Sequence, residues 1–248
     1  MATREAAKLA VLIDADNAQA LVIQELLAEV SRYGTATIKR AYGDWTTPNL
    51  VSWKETLHAM AIQPVQQFRY TTGKNSTDSA LIIDAMDVLH ADNVDGFCLV
   101  SSDSDFTRLA TRIREAGLVV YGFGERKTPA PFVAACDKFI FTEILRPVPT
   151  QEKIGEAAAL PPLRPMVVAA IEATTREDGW ASLAAVGGQI TKNNPSFDSR
   201  NYGCAKLGEL MRKQDYLDVK EAPMSEGSAS VHLHVRLKQS LTSRPGSP

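Results

Sequence analysis

The sequence predicts an α/β fold: a doubly wound, mostly parallel sheet with helices on both faces, followed by a small C-terminal α+β domain. Three observations predict it. From Lys8 to about Leu145, short apolar runs alternate with helical patterns, the rhythm of a sheet covered on both faces. Two of those runs, KLAVLIDADN at 8–17 and GFCLVSSDSDF at 96–106, stop abruptly on paired aspartates. Beyond residue 146 prolines cluster and the rhythm changes.

The elements follow in order. A strand at Lys8–Asp14 leads into AQALVIQELLAEVSRYG, whose Leu21, Leu26, Leu27 and Val30 recur at helical spacing, with Gly34 where a helix would stop. TATIKRAYG is a second strand, LVSWKETLHAMA a helix and PVQQFRY a third strand. The polar loop TTGKNSTD precedes the helix SALIIDAMDVLHAD, with Asp78 in its first turn or at its cap. Gly96–Ser101 is the fourth strand, FTRLATRIREAG a helix, LVVYGFG a strand, PFVAACD a short helix and KFIFTEIL a last strand. Residues 146–162 read as a linker. Residues 163–238 read as three helices, PMVVAAIEATTR, WASLAAVGGQITKN and RNYGCAKLGELMRKQ, then a two-stranded ribbon, DYLDVKE and SVHLHVRLK: a winged-helix plan. The tail at 239–248 reads as disordered. The domain expectation is therefore 1–145, a linker at 146–162, and 163–238.

Composition narrows the chemistry. The chain has 248 residues and nearly balanced charge, 27 Lys plus Arg against 29 Asp plus Glu, which argues against a broad polybasic surface. Cys98, Cys136 and Cys204 are too far apart for a zinc spacing or a disulfide framework, as expected of reduced thiols in the cytoplasm. No signal-peptide core or membrane-length apolar run is visible. There is no glycine-rich dinucleotide turn, no GK[ST] phosphate loop and no Ser–His–Asp pattern, so nicotinamide, P-loop and triad chemistry are disfavoured.

An aspartate at the carboxyl end of a parallel strand faces the crevice where α/β proteins bind ligands. Asp14, Asp78, Asp103 and Asp105 are the candidate metal ligands and catalytic acids, provided the first and fourth strands are neighbours. Hard carboxylate oxygens select Mg²⁺ or Mn²⁺. Asn17, Ser101, Ser102 and Ser104 could orient water or phosphate oxygens. Asp16 reads as exposed or capping. Asp84, about 240° around its helix from Asp78, reads as a salt-bridge or supporting residue. Cations and rings cluster in three loops after strand ends: Lys39, Arg40, Tyr42 and Trp45; Arg69, Tyr70 and Lys74; Arg126 and Lys127. Such loops suit single-stranded nucleic acid.

VLIDADN, GKNSTDSALIIDAMD and SSDSDF together resemble the signature blocks of the NYN domain, a PIN-like metal-dependent ribonuclease fold. The resemblance implies an Mg²⁺ or Mn²⁺ pocket on Asp14, Asp78, Asp103 and Asp105, with Asn17 beside the first, and hydrolysis of RNA phosphodiesters. Residues 163–238, with Tyr202–Gly203 entering a helix that carries Leu207 and Leu210, are similar to the LOTUS (OST-HTH) winged-helix module. That module implies RNA binding or a protein partner, with Lys192, Arg200, Lys206, Arg212 and Lys213 supplying the positive charge. From Gln151 onward 12 basic residues face 11 acidic ones, so binding would rely on local placement. The leading expectation is a ribonuclease acting on single-stranded RNA, with no membrane partner and with a protein partner or homodimer left open. Its rivals are a non-catalytic RNA-binding or scaffolding protein, and a haloacid-dehalogenase-like phosphatase using Asp14 as nucleophile and Asp16 as acid–base.

Overall fold

The computed structural model describes residues 6–68, 76–146, 160–223 and 231–238. The chain divides into two compact units, Met1–Ala159 and Leu160–Pro248.

In the first unit β1 (Lys8–Asp14) is the central strand. Leu9 to Ile13 are each no more than 1% exposed, which is why this run lacks the polar–apolar alternation of a half-solvated strand. The chain continues through α1 (Ile23–Val30), β2 (Thr35–Gly43), α2 (Trp53–Ala59) and β3 (Gln63–Gln66). It returns through α3 (Ser76–His90) to β4 (Gly96–Val100), then α4 (Thr107–Glu115), β5 (Val119–Gly124), α5 (Ala130–Ala135) and β6 (Lys138–Phe141). The sheet order is β3-β2-β1-β4-β5-β6 and every neighbouring pair is parallel. Ile13 of β1 lies in register with Val100 of β4, so the expected adjacency of the two acidic strand ends is met. The strand order reverses between them, at the place where α/β sheets open a ligand crevice.

The core has two layers. Leu9, Val11 and Ile13 pack with Ile23, Leu26 and Val30 of α1 and with Trp53 and Leu57 of α2. Ala10 and Leu12 pack on the other face with Leu81, Ala85 and Val88 of α3, Leu109 and Ile113 of α4, and Phe132 of α5. Alternate residues of one strand thus serve opposite layers. Leu21, expected on the buried stripe of the first helix, is 82% exposed. The chain enters α1 through a 3-10 turn, Ala20–Val22, which rotates Val22 and Ile23 inward instead.

The second unit contains α6 (Leu163–Thr174), β7 (Ala181–Ser182), α7 (Leu183–Asn193), α8 (Leu207–Arg212), β8 (Leu217–Pro223) and β9 (Val231–Leu237). Its core joins Val167 and Ile171, Val186 and Ile190, Leu210 and Met211, and Val235. Two expectations are corrected here. The ribbon is a three-stranded antiparallel sheet, β7-β9-β8, because Ala181–Ser182 pairs with Val235 and His234. The helix expected over 200–214 is broken: a 3-10 turn, Ser199–Tyr202, ends at Gly203 with φ +74, a left-handed conformation that suits glycine, and α8 starts afresh at Leu207.

Cys98, Cys136 and Cys204 are buried free thiols. No helix among the described residues is long and apolar enough to cross a membrane. Most of the expected linker and all of the tail at 239–248 lie outside the described residues.

Candidate metal centre

Asp14 closes β1 and is fully buried. Four donors surround its carboxylate. Asn17 Nδ2 and Ser101 Oγ each donate to Oδ2 at 2.7 Å, and the Asp16 and Asn17 backbone N–H groups donate to Oδ1 at 3.2 and 3.3 Å. Burial pushes the Asp14 carboxyl above its ordinary range, the Asn17 and Ser101 hydrogen bonds pull it back, and the charge of Asp16 pushes it up again. Ser101, expected to orient water or phosphate, instead ties the end of β1 to the end of β4. Its Oγ also accepts the Asp103 N–H at 3.1 Å.

Asp103 in turn accepts the Asp105 N–H at 2.9 Å and so caps a 3-10 turn, Ser104–Phe106, that leads into α4. Asp78 sits in the first turn of α3, as the sequence anticipates, and is buried. Carboxylate oxygens of Asp78, Asp103 and Asp105 lie within 4.8 Å of one another. Two ligands on opposite sides of one Mg²⁺ stand about 4.2 Å apart, given Mg–O distances of 2.0–2.1 Å. Ligands at right angles stand about 3.0 Å apart, so side-chain rotations would draw this trio onto one ion, and its all-oxygen donor set fits Mg²⁺ or Mn²⁺. Asp14 lies outside the trio, its oxygens held by the donors above. Asp16 is exposed.

Burial, followed by the charges of Asp14, Asp103, Asp105 and Asp16, pushes the Asp78 carboxyl up to about 6. Its folded pKa exceeds its unfolded value of 3.8, so between these values the folded chain holds a proton that the unfolded chain has lost. Stability from this group is present at low pH and is lost as pH rises through about 6. In chelator, raising the pH from 5 to 7 should therefore cost on the order of 1 kcal/mol, once solvent screening is allowed for. Urea midpoints of the wild-type chain, compared with Asp78→Asn at each pH, measure this contribution. A contribution of opposite sign contradicts it.

The cationic loops are mostly tied down. Tyr42, expected to stack on a base, is fully buried, and its hydroxyl donates to Asp84. Arg40, expected on RNA, forms an ion pair with the same carboxylate. Both corrections have one cause: Arg40 and Tyr42 lie two apart on β2 and so share the face under α3, where Asp84 waits. Asp84 is thus the salt-bridge residue that the helical geometry predicts. Asp84→Ala should strand a buried hydroxyl and a guanidinium and destabilise the chain by about 2 kcal/mol, measured as a shift in urea midpoint. A change of a few tenths would show that neither group depends on it.

Lys39 Nζ donates to the Met60 carbonyl at 2.5 Å, Lys127 pairs with Glu125 at 2.7 Å, and the Arg126 backbone N–H donates to Glu143 at 2.8 Å. Trp45 donates from Nε1 to the Val65 carbonyl at 3.0 Å. In the second unit Arg200 grips Asp198 through Nε and Nη2 at 2.9 and 2.7 Å, whereas Lys206 is exposed. Arg69, Tyr70 and Lys74 lie outside the described residues. Two features were not anticipated from sequence: the linking role of Ser101, and a cation–aromatic cluster at Trp180. The serine could have been found from its place after a buried strand. The cluster depends on strand register.

Two family models match: the NYN domain at residues 8–145 and the OST-HTH/LOTUS domain at residues 160–228. Solved structures with similar parts include a protein of unknown function from Vibrio parahaemolyticus, 20% identical over 56% of this chain and 94% of that one, with a TM-score of 0.48. A solution structure of residues 175–257 of a Chromobacterium violaceum protein is 40% identical over 34% of this chain and 88% of that one, with a TM-score of 0.27. An uncharacterized Nitrosomonas europaea protein is 28% identical over 41% of this chain and 96% of that one, with a TM-score of 0.31. No curated protein matches the chain.

Proposed function

This chain belongs to the NYN domain family, and from that membership we propose that it is a metal-dependent ribonuclease whose OST-HTH/LOTUS domain recruits RNA. The NYN domain points to a nuclease of PIN-like type and the second domain to RNA. The observation that carries the finer reading is the carboxylate trio at the β1–β4 reversal.

Asp78, Asp103 and Asp105 would hold Mg²⁺ or Mn²⁺. A bound ion there supplies the polarised phosphate and the activated water of phosphodiester hydrolysis. The chain's own groups do the positioning. Asp14, gripped by Ser101 and Asn17, adds fixed negative charge beside Asp78 and draws the cation inward. The exposed Asn17 has two amide N–H donors, and its bond to Asp14 uses one, which leaves a donor for a phosphate oxygen. Ser101 keeps the two strand ends together, so the acids meet at one point.

A phosphatase with Asp14 as nucleophile fits less well. A nucleophilic carboxylate needs an oxygen that can reach phosphorus, and both Asp14 oxygens are buried acceptors of hydrogen bonds.

The test is incubation of the full chain with labelled single-stranded RNA in Mg²⁺, in Mn²⁺, and in EDTA. Cleavage should occur with metal and stop with chelator. Binding of Mn²⁺ and RNA with no products under any condition would replace the nuclease with an RNA-binding protein.

A further inference from the structure

The outer face of the small sheet carries a cluster with no part in the acidic pocket. Ala181 and Val235 point into the core. Their neighbours Ser182, His234 and Lys220 lie in register across the three strands on the opposite face, beside the pair Asp218 and Arg236. The half-buried Trp180, just ahead of β7, completes the group. Lys220 Nζ stands 4.1 Å from the centre of its ring, and the Arg236 guanidinium carbon stands 4.5 Å from it. Both lie well inside the roughly 6 Å reach of a cation–π contact. Asp218 accepts from Arg236 Nε at 2.9 Å, but a guanidinium has five N–H donors, so several point elsewhere. His232 stands exposed on the same face.

On the helical side of the domain the exposed cations are scattered: Lys192 lies on α7, and Arg164 on α6 stands 4.8 Å from the Tyr216 ring centre, one cation to that ring where Trp180 has two. Arg200 is gripped by Asp198 and Arg212 is paired with Glu221, which leaves Lys206 and Lys213 as its exposed cations near α8. Neither has an aromatic ring beside it among the described contacts.

We propose that the outer face of this sheet, through Trp180, Lys220 and Arg236, is the surface on which the second domain binds single-stranded RNA. This rests on the reading of that domain as an RNA recruiter and says which face does it. Lys220 and Arg236, held in place over the Trp180 ring, neutralise two successive phosphates, and an unstacked base packs against the exposed rim of that ring in an edge-to-face contact. The single-stranded form follows from the ring, because a base must be unstacked to reach it.

The experiment measures binding of a fluorescein-labelled, mixed-sequence single-stranded RNA to the full chain in EDTA, so that cleavage does not intervene. Lys220→Gln/Arg236→Gln should bind about tenfold more weakly, and its salt slope should be smaller by about 1.4, about 0.7 for each lost phosphate contact. Trp180→Leu should also lose about tenfold, whereas Trp180→Phe, which keeps an aromatic face, should retain most of the affinity. Thermal melts show whether Trp180→Leu folds, and the double-glutamine variant, which leaves the core untouched, decides the matter if it does not. Lys206→Gln/Lys213→Gln should bind like wild type. Wild-type binding by the double-glutamine variant, with loss in Lys206→Gln/Lys213→Gln, overturns the sheet surface while leaving RNA recruitment standing. No binding by the wild-type chain overturns both.

Discussion

Asp78→Asn should reduce RNA cleavage by about 10²–10³-fold, more than the 10–100-fold that losing a group behind a metal ligand costs. The substitution removes one charge at nearly constant volume from a trio whose oxygens lie within 4.8 Å of one another. The same variant should be more stable than wild type in chelator near pH 7. Its carboxyl is already pushed up to about 6 by burial and by four neighbouring acids, so removing the charge relieves repulsion. Activity and stability should therefore move in opposite directions, a signature that an acid serving only to brace the fold would not give. Asp14→Asn supplies the contrast. Its amide would turn a donor either toward Ser101 Oγ and Asn17 Nδ2 or toward the Asp16 and Asn17 backbone N–H groups, all of which now donate to the carboxylate. Cleavage should fall there too, but Mn²⁺ titration should show weaker loss of affinity than in Asp78→Asn, because Asp14 lies outside the trio. Equal cleavage by wild type and Asp78→Asn would remove the acidic trio as the site of that cleavage.

Gly124→Ala should destabilise the chain by about 3 kcal/mol, the upper end of overpacking costs, and should depress cleavage in what remains folded. A Cβ built there would lie 2.5 Å from the Ser101 carbonyl oxygen, 2.7 Å from Thr128 Oγ1 and 2.9 Å from Phe139 Cζ. Two of these can yield only with the surrounding structure. The carbonyl belongs to the backbone, and Phe139 is fully buried. The forced shift falls on the residue whose hydroxyl holds Asp14 and whose oxygen also receives the Asp103 N–H. Chemical denaturation and cleavage per folded molecule read the two effects separately. A stability loss with unaltered cleavage would show that the end of β4 can move without disturbing the acids.

What could be read from the sequence was whatever depends on neighbours along the chain. The run Leu9–Ile13 announces a strand buried on both sides, and Asp14 and Asp103 announce where two strands stop. The periodicity of α3 separates Asp78 from Asp84 and so predicts that they do different work. What could not be read depends on partners far away in sequence. Arg40 and Tyr42 look like an RNA-binding pair until α3, more than 40 residues on, covers them with Asp84. Leu21 looks buried until one tight turn changes the rotation of the helix that follows. The two-residue strand β7 has no period to detect, yet it sets Trp180 beside the cations of β8 and β9.

The hydrogen bond from Ser101 to Asp14 spans 87 positions of chain. A polypeptide still being made has its first aspartate long before the serine, α3 or β4 exists to meet it. The strand that emerges first must wait, unpaired on that side, while most of the unit is synthesised, and pairing this distant is slow to form. The acidic cluster therefore cannot assemble until synthesis has passed Asp105, well over a third of the way along the chain.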